Sequence, residues 1–132
     1  MKENYLCPHC RSFLNAGEHI VFIAKTKDND GLLLLNSEIG NYKTIKNKAF
    51  KIEENELLIV SCPLCHADLT VKDFGSHFAK VILLDIDGLQ YEILFSRVVG
   101  EHCTYKILEG SITAYGEHSE ENTNFFGEGP KY

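Results

Sequence analysis

The chain has 132 residues, 44% of them hydrophobic, and a formal net charge of -6. That length suits one domain with a real core, and the acidic balance disfavours a broad phosphate-binding surface without excluding a local one. No apolar run approaches the roughly 20 residues that a bilayer span needs, so no membrane partner is expected. With no signal-peptide pattern ahead of the first cysteines, the expected location is the cytoplasm, where disulfides do not persist.

In chain order, Cys7-Pro8-His9-Cys10 forms a first knuckle, with Leu6 and Leu14 placed to cover it. His19 to Lys27 is rich in β-formers and reads as a strand. Asp28-Asn29-Asp30-Gly31 is a turn, and Leu32 to Leu35 returns as the second strand of a hairpin. Tyr42 to Ile45 reads as another short strand. Phe50 and Ile52 alternate with charged residues, as on a half-buried strand. Leu57 to Val60 reads as a buried strand feeding the second knuckle, Cys62-Pro63-Leu64-Cys65.

Leu69 follows Cys65 at the spacing at which Leu14 follows Cys10, so the knuckles match beyond their cysteines. Phe74 to Phe78 is a bend or a single helical turn. Val81 to Leu84 with Ile86, the Asp87-Gly88 turn, Tyr91 to Phe95, a turn at Gly100 and Cys103 to Leu108 read as a three-stranded antiparallel meander. Ile112 to Tyr115 adds an edge strand. Residues 117–132 read as a polar, acidic tail with Phe125-Phe126 as its apolar pair. No internal repeat is expected beyond the two knuckles, and nothing calls for a long helix.

Two thiolates at Cys-x-x-Cys spacing grip one face of a metal ion from a tight turn, and a second copy completes a tetrahedron. Cys7, Cys10, Cys62 and Cys65 are therefore the expected ligands of one closed, structural zinc ion. The fifth cysteine, Cys103, reads as a small buried residue with His102 on the opposite face. Fifty-one residues lie between Cys10 and Cys62. Closing such a loop costs a few kcal/mol by the logarithmic loop relation, whereas structural zinc supplies on the order of 10 kcal/mol in small peptides. The metal effect is larger, so zinc can hold the base of a long insert closed. The proline after each first cysteine fixes φ and removes one donor, and the remaining turn amides can point at sulfur.

With Leu14 and Leu69 behind the turns, these four cysteines make the chain resemble the zinc-ribbon and rubredoxin-like class. The resemblance covers the knuckles and their flanking strands and implies a mostly β fold. On this reading residues 1–116 form a single compact β-rich domain, with a zinc-ribbon-like part at 1–75, a long β-hairpin insert between the knuckles and the antiparallel meander at 76–116. Rubredoxins bind iron in the same four-thiolate shape and carry electrons, but usually have glycine after the second cysteine, where this chain has Arg11 and His66.

No nucleophile elbow, phosphate loop or dinucleotide fingerprint is present, so a non-enzymatic binding role is expected, with another protein as partner. The competing partner is nucleic acid, through Lys43, Lys46, Lys48 and Lys51 with Tyr42 and Phe50 as stacking rings. Glu53, Glu54 and Glu56 follow at once and favour a solvated hairpin face instead.

Overall fold

The computed structural model describes residues 3–27, 29–47, 49–53, 55–71, 77–99, 101–108 and 111–116. Among these residues ten strands follow one another: β1 (Asn4–Leu6), β2 (Asn15–Ala16), β3 (His19–Lys25), β4 (Asp30–Asn36), β5 (Thr44–Lys46), β6 (Ile59–Ser61), β7 (Phe78–Leu84), β8 (Gln90–Ser96), β9 (Thr104–Leu108) and β10 (Ser111–Tyr115). Among the described residues there is no helix, and every strand pairing is antiparallel.

The strands form two sheets. One has the order β1-β7-β8-β9-β10; the other runs β2-β3-β4-β5, with β6 also paired to β3. Alternation along β3 sends Ile20, Phe22 and Ala24 inward, as the two-residue period of a strand requires. They share one core with Ala79, Val81 and Leu83 of β7 and Ile93 of β8. Phe22 meets Phe95 from the other sheet with ring centroids 5.4 Å apart. Burial of each such side chain is worth about 1.5–3 kcal/mol. The opposite face of β7, β8 and β9 carries a second cluster, Phe78, Leu94, Cys103 and Tyr105.

The two lead-in strands are exchanged between the sheets. β1, ahead of the first knuckle, pairs with β7, while β6, ahead of the second knuckle, pairs with β3. Each knuckle thus carries the chain from one sheet to the other, and the two crossings lie side by side.

This exchange belongs to an internal duplication, which corrects the expectation that only the knuckles repeat. The bridge Leu6↔Phe13 matches Ser61↔Asp68, and the pair Asn15↔Ile20 matches Thr70↔Ala79. The hairpin pair Leu33↔Lys46 matches Ile93↔Lys106, and Leu35↔Thr44 matches Phe95↔Thr104. Loop hydrogen bonds repeat as well: Ser37 N–H to Glu18 C=O matches Arg97 N–H to His77 C=O, and Asn41 N–H to Glu38 C=O matches Glu101 N–H to Val98 C=O. The stretch from β1 through β5 therefore corresponds to that from β6 through β9. Because each half lends its first strand to the other, the halves are related as in a pseudo-two-fold dimer.

Other expectations shift in detail. Phe50 and Ile52 form no strand; the Phe50 ring is buried over Gly31, whose missing side chain makes room for it. The run Leu57 to Val60 is not buried throughout. Leu58 and Val60 point inward, while Leu57 and Ile59 are exposed and strand pairing starts at Ile59. Tyr42 and Lys43 precede β5, Cys103 precedes β9, and Ile86 lies exposed in the β7–β8 turn. β1, absent from the sequence reading, is too short to announce itself by periodicity. The Gly100 turn, most of the 74–78 bend and the tail at 117–132 lie outside the described residues.

Candidate metal centre

Each knuckle is a tight hairpin with the same bonding. Cys7 N–H donates to Ser12 C=O at 3.0 Å, and Cys62 N–H to Ala67 C=O at 3.1 Å. Arg11 N–H returns to Cys7 C=O, and His66 N–H to Cys62 C=O, both at 2.9 Å. The prolines leave the following amides free to turn toward sulfur. His9 and Cys10 N–H point at Cys7 Sγ at 3.3 and 3.4 Å, and Leu64 and Cys65 N–H at Cys62 Sγ at 3.4 and 3.5 Å. Such donors stabilise a thiolate. Leu14 and Leu69, both 2% exposed, close the inner side.

The four sulfurs of Cys7, Cys10, Cys62 and Cys65 all lie within 4.8 Å of one another. The contacts between knuckles are Cys7 Sγ to Cys65 Sγ at 3.7 Å and Cys10 Sγ to Cys62 Sγ at 3.8 Å. The duplication exchanges these two contacts. Four thiolates about 2.3 Å from a central ion would stand at tetrahedron edges of about 3.8 Å. The donor set and spacing therefore fit one metal ion, and a soft, all-thiolate set of this shape suits zinc or iron. All five cysteines are free thiols in the structure.

The knuckle thiols differ in proton affinity. Burial pushes Cys7 up to about 12, against the pull of its own turn amides. Cys10, nearer solvent, is held down to about 6, chiefly by hydrogen bonds from the Ser12 side chain and backbone.

Arg11, the residue after the first knuckle, donates through its guanidinium to Gln90 Oε1 at 3.0 Å. Cys103 is buried away from the four-sulfur cluster, in the core with Phe78, Leu94 and Tyr105. His9 and His66 are exposed. His77 Nε2 stands 3.8 Å from Glu101 Oε1.

Of the lysines named for nucleic acid, Lys43 and Lys51 are exposed. Lys46 Nζ donates to Phe50 C=O at 2.8 Å, and Lys48 lies outside the described residues. Both expected stacking rings are engaged internally. Phe50 is 2% exposed, and Tyr42 stacks on His102 at 4.5 Å between centroids and 5° between planes.

The Tyr42–His102 pair was not foreseen. The two rings occupy corresponding positions in the duplicated halves, and Tyr42 Oη also meets Thr104 Oγ1 at 3.0 Å. The signal lay in aligning residues 32–46 with 92–106, which share Leu34/Leu94, Gly40/Gly100, Thr44/Thr104 and Lys46/Lys106.

No family model, curated protein or solved structure matches the chain.

Proposed function

We propose that Cys7, Cys10, Cys62 and Cys65 hold one structural zinc ion that clamps the two halves, and that the protein acts by binding another protein. Zinc is favoured over iron because Arg11 and His66 stand where rubredoxins usually have glycine, and because the four sulfurs join two chain crossings, a structural role. A closed four-thiolate site leaves no open coordination position for substrate.

One surface carries the protein-binding reading. Cross-strand register places Val21, Leu34 and Ile45 in one row of the outer face of the first-half sheet, and Ile23 and Leu32 in the next. Ile59 lies opposite Lys25 on that same face. Leu32 and Ile45 are 52% exposed and Ile59 45%. Four neighbouring strands, β6, β3, β4 and β5, thus turn aliphatic side chains outward on a face where an antiparallel sheet open to water ordinarily carries polar ones. The four consecutive leucines are explained by it. Leu33 and Leu35 fill the core, while Leu32 and Leu34 face outward.

The test is a double change, Leu32→Lys with Ile45→Lys, made on the metal-loaded protein. Complexes recovered from native extract by the parent chain should be lost, with metal content unchanged. Complexes that persist would contradict this surface, and complexes that vanish on nuclease treatment or at raised salt would point to nucleic acid instead.

A further inference from the structure

The duplication gives one half a strand that the other lacks among the described residues. β5 corresponds to β9, since Leu33↔Lys46 and Leu35↔Thr44 match Ile93↔Lys106 and Phe95↔Thr104. β9 carries β10 on its far side, with Ala114 opposite Tyr105 and Tyr115 opposite Thr104. β5 ends its sheet and, among the described residues, pairs with β4 alone. Past β5 the chain turns inward instead of back. Phe50 N–H donates to Asn47 C=O, and the Phe50 ring sits in the core over Gly31.

Burial follows this difference. Cys103, Thr104 and Tyr105 are buried, whereas their counterparts Lys43, Thr44 and Ile45 are all exposed. Leu94 is buried too, and its counterpart Leu34 only partly so. In the second half, Ile112 and Ala114 of β10 pack against the cluster that holds Leu94 and Tyr105. An edge strand whose outer side is exposed is a template for pairing with another chain.

We propose that β5 receives an extended segment of another protein as an antiparallel strand, in the register in which β10 lies on β9. This rests on the protein-binding reading above and names the form of the partner. In such pairing main-chain hydrogen bonds supply affinity, and alternate side chains supply specificity. The β10 register sets the chemistry. The residue opposite Ile45 and the one two earlier are apolar, as Ala114 and Ile112 are, and extend the outward row of Val21, Leu34 and Ile45. The residue two later falls opposite Lys43 and is acidic. Glu38 lines the hollow ahead of β5 together with Lys43, so the acidic demand is confined to that one position. Charge also selects against a second copy. Lys43 and Lys46 flank Thr44 and Ile45 with no acid between them, so two β5 edges would meet with like charges.

Titration of the metal-loaded full chain, labelled with nitrogen-15, with the capped peptide Ser-Ile-Thr-Ala-Tyr-Glu tests this. The peptide is the β10 sequence with an acid added to face Lys43. It should bind saturably at one site. Exchange should slow at the β5 amides that face away from β4, with β9 and β10 unchanged. Methylating the peptide's main-chain nitrogens should weaken binding at least tenfold, because the ladder bonds are lost. Lys43→Glu should weaken this peptide severalfold and favour one ending in lysine, a reversal that loss of structure would not produce. No saturable binding, exchange slowed at β9 and β10 instead, or a Lys43→Glu chain that still prefers glutamate would overturn the inference. So would protection of the same β5 amides without peptide, whether from a dimer or from the chain's own residues. The result is separable from the surface test above. Complexes lost on Leu32→Lys with Ile45→Lys, without peptide pairing at β5, would keep the surface and remove the strand position. Complexes that persist would remove the surface reading, and the titration would still decide β5.

Discussion

Arg11 and His66 adopt the same left-handed backbone conformation, with φ of 63° and 64°, one residue after the second cysteine of each knuckle. The turn needs this geometry because each N–H must fold back onto the carbonyl of the first cysteine. For a residue with a Cβ it costs roughly 1–2 kcal/mol, and glycine would relieve it at some cost in unfolded-chain entropy. His66→Gly should therefore stabilise the metal-loaded protein by about 0.5–1 kcal/mol. A chemical-denaturation midpoint that falls would show that the imidazole contributes something the structure does not reveal.

Metal binding should release protons and weaken in acid. At neutral pH Cys7, pushed up to about 12 by burial, carries its proton, and the ion must displace it. Cys10, held near 6, is already a thiolate there and takes up a proton only as the pH falls through that value. For the metal-free fold the sign follows from the same shifts. The depressed Cys10 contributes stability that is present above its usual value near 9 and lost as pH falls through about 6; the raised Cys7 contributes stability that is lost as pH rises from about 9 through about 12. Titrations in buffers of different ionisation enthalpy should show net proton release at pH 7 and weaker binding at pH 5.5. Affinity independent of pH across that interval would refute the thiolate assignment.

Gly116, with φ of 96°, closes β10 against the Tyr42–His102 pair. A Cβ there would collide with the His102 backbone and the Tyr42 hydroxyl. Gly116→Ala should cost about 2–4 kcal/mol from strain and overpacking together. Gly88→Ala, with φ of 85° but open space around it, should cost only about 1 kcal/mol. Equal unfolding midpoints for the two variants would mean that the loops yield freely.

The knuckles were readable because their chemistry is local: two cysteines, a proline and a covering leucine within eight residues specify each turn. The β3–β4 and β7–β8 hairpins were readable from alternation and turn residues. The duplication was harder to see because its halves differ in the length of chain between knuckle and first long strand. Leu14 is followed closely by β3, whereas Leu69 is followed by a longer connection before β7. No single period therefore runs through the sequence. The exchange of β1 and β6 was beyond local reading, since a three-residue strand takes its partner from tertiary packing alone.

The central claim is that one ion, held by four sulfurs from both halves, fastens the exchanged sheets. Elemental analysis of the protein purified without added metal tests it most directly, together with Cys62→Ser and Cys103→Ser. The account predicts one zinc per parent chain, loss of zinc and of cooperative unfolding in Cys62→Ser, and full zinc in Cys103→Ser. A folded parent chain without metal, a red protein with stoichiometric iron, or equal metal loss in both variants would contradict it.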